Sequence, residues 1–167
     1  MSKEIEVVDR TGWPEGPWDG EEDRYDFQTG AGLPAIIQRS ALGNLCGYVI
    51  VPPGHPAYGR TRESLRQVFD APGGITYAKG PEGSVSYATA PGEPEGYWAI
   101  GFDCGHAFDL VPALESLGFL QRFDPFGPMA KLLALHRNRA VYRDVGYVRA
   151  HCEMLAAQLA VIQSLTT

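Results

Sequence analysis

At 167 residues, with 44% hydrophobic and 20% charged side chains, the chain has the length of one domain with its own core and is too apolar for wholesale disorder. Its 20 glycines and 13 prolines exclude a helical bundle and predict short strands joined by many turns. A net charge of −6 with 14 scattered Lys and Arg excludes long duplex nucleic acid as a partner, but not a small anionic ligand, which a few arginines and backbone amides can hold.

Cys46, Cys104 and Cys152 match no zinc or redox spacing and no disulfide framework, which points to a reducing cytoplasm. The first ten residues lack the apolar run of a signal peptide. No stretch approaches the ~20 apolar residues of a membrane span, so no membrane association is expected.

In chain order, residues 1–32 read as an irregular, acidic extension, with Asp19, Glu21, Glu22, Asp23 and Asp26 crowded around Arg24. Trp13, Trp18, Tyr25 and Phe27 imply that it is nevertheless packed on the body. Residues 33–167 read as a single α+β domain: a mostly antiparallel sheet of short strands covered by helices, closed by a long C-terminal amphipathic helix. Pro34–Arg39 and Leu45–Val51 are strands, joined by a turn at Ala41-Leu42-Gly43-Asn44. A loop carrying His55-Pro56 leads to a short helix near Arg62–Phe69, with Thr61 as its cap. Ile75–Ala78 and Val85–Ala88 flank a Gly/Pro turn, and Tyr97–Phe102 is apolar on both faces, as a covered strand should be.

Beyond Asp109 the pattern is helical. It breaks at Asp124–Pro128, resumes over Met129–Arg137, and is most regular over Asp144–Leu165, where Val145, Val148, Cys152, Leu155, Leu159 and Ile162 form a stripe. Packing on the sheet is the plain use of that stripe, and pairing into a homodimer is the other.

Asp103, His106 and Asp109 follow the apolar strand at intervals of three. If a helix begins at Gly105, His106 and Asp109 share a face. One imidazole with two carboxylates suits a divalent metal, or an acid/base pair in which a carboxylate fixes the tautomer of His106. Against this stands a capping Asp and a satisfied histidine. Cys104 reads as a small buried hydrophobe rather than a nucleophile. His55, in a proline-stiffened loop, is a second candidate imidazole. Gly73-Gly74, followed by Thr76 and Tyr77, would let backbone amides cradle an anion, although paired glycines also simply make turns. Arg143 and Arg39 are candidate anion contacts, with surface ion pairing as the plainer use. His136 and His151 look like members of solvated helix faces.

Taken together, Gly47–Pro56, Gly73–Tyr77, Trp98–His106 and Tyr142–Val148 resemble a widespread family of small, mostly uncharacterised bacteriophage and prophage proteins. Gly101-Phe102-Asp103-Cys104 with His106 is the most specific part of the likeness, which spans about residues 13–160. The family pattern has His ahead of the paired glycines, where this chain has Pro72. The resemblance implies an accessory protein made in the cytoplasm of the bacterial host. By analogy with such proteins it implies action against host defence, through recognition of a nucleotide-like anionic signal that is sequestered or hydrolysed. His106, His55 and Asp103 would be catalytic under that reading. Gly73, Gly74, Thr76, Tyr77, Asp109 and Arg143 would bind the ligand, with Asp103, His106 and Asp109 holding any metal. The alternative is an inhibitor that covers a host protein with the acidic Asp19–Asp26 segment.

Overall fold

The computed structural model describes residues 7–115 and 139–166, together with the single positions 128 and 135. The break read at Asp124–Pro128, the helix read over Met129–Arg137 and His136 fall outside the described residues, those two single positions apart.

Five strands form one fully antiparallel sheet: β1 (Arg24–Gln28), β2 (Pro34–Arg39), β3 (Leu45–Val51), β4 (Tyr77–Lys79) and β5 (Trp98–Asp103). Their order is β1-β2-β3-β5-β4. With helices α1 (Arg62–Arg66), α2 (Pro112–Glu115) and α3 (Val145–Leu165), this is the expected α+β architecture. One strand was not expected. The acidic extension read as irregular contributes β1, which pairs with β2 from Arg24↔Gln38 to Gln28↔Pro34.

Helix α3 lies across β2 and β3 on one face of the sheet. Asp144 caps it by accepting from the Tyr147 N–H at 2.8 Å. Val148, Cys152, Leu155, Ala156 and Leu159 are fully buried, so the apolar stripe is spent on the sheet. Each large apolar side chain so buried contributes roughly 1.5–3 kcal/mol. Close approach requires Gly47 in β3, where a Cβ would stand 2.6 Å from the Phe102 ring and 2.7 Å from Cys152 Sγ. Alanine there would push the helix off the sheet.

The opposite face carries Ile36, Tyr48, Ile50 and Ala99, covered by Val85 and Tyr97. Val85–Ala88, expected as a strand, is instead irregular and held by side chains. Tyr97 donates to the Val85 carbonyl at 2.8 Å, and Arg24 donates to the Ser86 carbonyl at 2.6 Å. Gly80, Pro81 and Gly83 on one side and Pro91 and Pro94 on the other deny it a regular ladder. Strand β5 thus has cover on both faces, with Ala99 and Ile100 both fully buried. Among the described residues no helix is long and apolar enough to cross a membrane.

Candidate functional site

From its last residue, Asp103, β5 turns out of the sheet through Cys104-Gly105-His106. Asp103 accepts from the Gly105 N–H at 3.0 Å, which tightens the corner. No helix starts here. His106 and Asp109 meet across a turn, in which the Asp109 N–H donates to the His106 carbonyl at 2.9 Å. Asp109 Oδ2 accepts from the His106 backbone N–H and lies 3.0 Å from ring Nδ1. A carboxylate only accepts, so Nδ1 carries a proton, and in the neutral ring Nε2 is the acceptor. The second carboxylate oxygen, Oδ1, accepts from Arg143 Nε at 2.9 Å. Burial pushes the Asp109 carboxyl up, but the hydrogen bonds from Arg143 and His106 outweigh it and hold Asp109 below the usual carboxylate value. Arg143 also lies over the Tyr147 ring, 4.5 Å from its centroid. The Tyr147 ring in turn packs at a tilt against His151, with centroids 4.4 Å apart. His151, read as solvated, is therefore half-buried among aromatic rings, and burial lowers its pKa.

The metal reading does not fit this geometry. Asp109 approaches Nδ1, whereas Asp103 Oδ1 lies on the Nε2 side at 3.8 Å, too far for a hydrogen bond. The two ring nitrogens point apart, so both carboxylates and one nitrogen cannot meet at a single ion. Arg143 already neutralises Asp109. Among the described residues no three His, Cys, Asp or Glu side chains converge as a metal site.

The paired glycines do meet His106. Gly73 has φ +70°, and a Cβ there would fall 1.9 Å from His106 Nε2 and within 2.6 Å of two ring carbons. The imidazole therefore rests on the bare backbone of Gly73, and only glycine allows this. The turn is less of an anion cradle than expected, because the Gly74 N–H is spent on the Ala71 carbonyl at 2.8 Å. Arg66 donates to the Gly73 carbonyl at 3.0 Å, and its guanidinium lies close over Gly74. Beside it opens a cleft of about 260 Å³ lined by Arg62, Glu63, Arg66, Ile75 and Thr76. Arg62 and Arg66 had not been singled out. The available signal was two arginines four apart on one helix face, just ahead of a Gly-Gly turn.

Two expected site residues lie elsewhere. His55 is buried at 4% exposure. Its Nδ1 accepts from the Ala57 N–H at 3.0 Å, and Nε2 donates to the Leu159 carbonyl of α3 at 3.0 Å. Burial lowers its pKa and keeps it neutral. Both ring nitrogens are engaged, so His55 fastens its loop to the last helix and has nothing left for catalysis. Tyr77 packs edge-on against Tyr48 at 5.1 Å on the far face of the sheet, and its hydroxyl accepts from the Val85 N–H at 3.2 Å. It is partly buried and packs against the core of that face. Thr76, one position earlier, is the one that lines the cleft.

Arg39, a candidate anion contact, is fully buried instead. Nε donates to Asp23 (2.9 Å), Nη1 to the Gly43 carbonyl and the Tyr142 hydroxyl, and Nη2 to Glu21 and the Glu22 carbonyl. Glu21 also accepts from the Tyr142 hydroxyl at 2.6 Å and from the Val145 N–H, at the start of α3. Arg10 pairs with Asp23. The acidic segment thus turns two of its carboxylates inward. Cys104 is buried, and burial raises its thiol pKa far from thiolate.

The class of protein these observations define is an antiparallel α+β domain with a polar corner at one strand end. Comparison with protein families, with curated proteins and with solved structures returns no match.

Proposed function

We propose that this chain recognises a small, nucleotide-like anionic ligand where His106, the Gly73-Gly74 turn and the Arg62/Arg66 cleft adjoin. The observation that carries the reading is the seating of His106. Its ring rests on Gly73, its tautomer is fixed by Asp109, and its side chain remains 37% exposed. A histidine held for packing alone would have both nitrogens satisfied, as His55 has. Among the described residues Nε2 makes no hydrogen bond, and on this reading it accepts one from a ligand or from an attacking water. Asp109 is the positioning residue, and Arg143 holds Asp109 in place. The likeness to phage accessory proteins suggests the context, a cyclic-nucleotide signal of host defence that is sequestered or hydrolysed.

The other reading, an acidic surface that covers a host protein, rests on Asp19, Glu21, Glu22 and Asp23. It is weakened by the commitment of Glu21 and Asp23 to Arg39.

The test is calorimetry and chromatography with cyclic dinucleotides and cyclic ADP-ribose isomers, on the wild type and His106→Ala. Heat without turnover supports sequestration, and turnover supports hydrolysis. In either case His106→Ala should weaken binding about 10-fold or more while the protein stays folded. Neither heat nor turnover with any of these ligands ends the proposal.

A further inference from the structure

We infer that the cleft between α1 and the Gly73–Thr76 segment is a phosphoryl-binding subsite, in which Arg62 and Arg66 take the charge and Thr76 supplies a hydroxyl. The inference deepens the proposed function, on which it rests for the identity of the rest of the ligand.

Three observations carry it. First, Arg62 and Arg66 are four residues apart on α1 and line the same cavity, so two cationic side chains border one volume. Planar guanidinium forks match the oxygens of a phosphate better than any other side chain does. Second, neither arginine is consumed by the fold as Arg39 is. Among the described residues Arg66 donates one bond, to the Gly73 carbonyl, which fixes its position over the turn. Arg62 pairs, among the described residues, only with its neighbour Glu63, and both side chains are about two-thirds exposed, with relative accessibilities of 63% and 67%. Exposed pairs of this kind are weak, so an incoming dianion competes for Arg62 at little cost. Third, the size is selective. The volume of about 260 Å³ lies under the ~300–1,000 Å³ of pockets that enclose a whole drug-sized ligand. It holds one or two phosphoryl groups and leaves the remainder of the molecule outside.

Thr76 gives the cleft a neutral donor. Its backbone N–H is committed to the Gly101 carbonyl at 2.9 Å, which ties the wall of the cleft to β5. Ile75 on the same wall is buried and gives the floor rigidity. The Gly73-Gly74 turn then lies between two functional faces, with the His106 ring on one glycine and the Arg66 guanidinium over the next. A ligand whose phosphate enters the cleft carries its next group across that turn toward His106. This geometry favours a phosphodiester or pyrophosphate joined to a larger polar group.

The experiment titrates ¹⁵N-labelled full-length protein with inorganic pyrophosphate, and in a second arm with a cyclic dinucleotide. Amide shifts are followed in wild type, Arg62→Gln, Arg66→Gln and Arg66→Lys. Saturable pyrophosphate binding is expected, with the largest shifts over residues 62–66 and 74–76. Arg62→Gln, which removes no bond holding the fold, should weaken it about 10-fold. Arg66→Lys should recover only part of what Arg66→Gln loses, because an ammonium lacks the fork. No saturable binding at millimolar pyrophosphate overturns the subsite. So does binding that is unchanged in Arg62→Gln, or shifts that map elsewhere. Pyrophosphate binding here with no response to any cyclic nucleotide would keep the subsite and remove the proposed function. Cyclic-nucleotide binding that ignores both arginines would do the reverse.

Discussion

The Arg39 cluster and the His106 corner are built from the same materials, an acidic pair, a cationic side chain and a tyrosine, yet they are opposite in character. In the first, all five donors of the guanidinium have partners and the side chain is fully buried. Burial alone would disfavour the charge on Arg39, but its hydrogen bonds to Tyr142, Glu21 and Asp23 prevail and hold its pKa above the ordinary value. In the second, one side of the imidazole is fixed by Asp109, and among the described residues the other nitrogen has no hydrogen bond, with Asp103 3.8 Å away. A saturated network fastens the chain to itself. An unsaturated one at a half-exposed corner keeps capacity for something else.

The contrast breaks first at Arg39. Arg39→Met should cost about 3–5 kcal/mol, since Glu21 would lose its cationic partner and Asp23 would keep Arg10 alone. Arg39→Lys should recover little, because one ammonium cannot span five acceptors in a plane. Urea denaturation followed by circular dichroism measures both. Under the acidic-surface reading these substitutions act only by freeing carboxylates, and stability would change by less than about 1 kcal/mol.

The two regions also differ in how far they could be read from the chain. β2, β3, β5 and α3 stand where apolar periodicity put them, because each pattern is local and is satisfied by one packing direction. The Arg39 network is invisible in that way. Tyr142 lies 103 residues from Arg39 in sequence, and a run of acids looks the same whether it faces water or a buried guanidinium. His55 misleads for the same reason: its partner carbonyl at Leu159 is 104 residues away. A stiff Pro-Gly-His-Pro loop reads as a display of the imidazole when it is in fact a fastening. The His106–Asp109 pairing was legible because it is local, although a turn rather than a helix delivers it. The seating of His106 on Gly73 was not, since it depends on how the β4 and β5 ends meet.

A smaller effect sharpens the comparison from the side of the corner. Gly73→Ala should destabilise by roughly 1–3 kcal/mol, from a strained positive φ and a Cβ driven into the imidazole. Gly32→Ala is the control. Its φ is +86° but a Cβ there meets nothing within 4 Å, so it carries only the backbone cost of about 1–2 kcal/mol. The two variants should separate on binding more than on stability. Gly73→Ala displaces His106 and should lose anionic ligands, whereas Gly32→Ala should keep them. Equal binding by both would mean that the seat of His106 is structural.

The smallest effect expected is at Asp109, and it distinguishes the clusters by pH. Asp23 and Asp109 both have carboxyl pKa values held below the ordinary ~3.9, by Arg10 and Arg39 in one case and by Arg143 and His106 in the other. Each therefore contributes stability that is fully present above the unfolded value and is lost as pH falls through the folded one. Asp109→Asn removes one of these two contributions. It also turns an amide donor toward either Arg143 or the His106 ring, at a cost of about 1 kcal/mol near neutral pH. Stability measured from pH 6 downward should then fall less steeply in the variant than in the wild type. Parallel acid limbs would show that Arg143 does not hold the Asp109 charge in solution. His106 would then have lost the partner that fixes its tautomer, and the corner would reduce to a turn like any other.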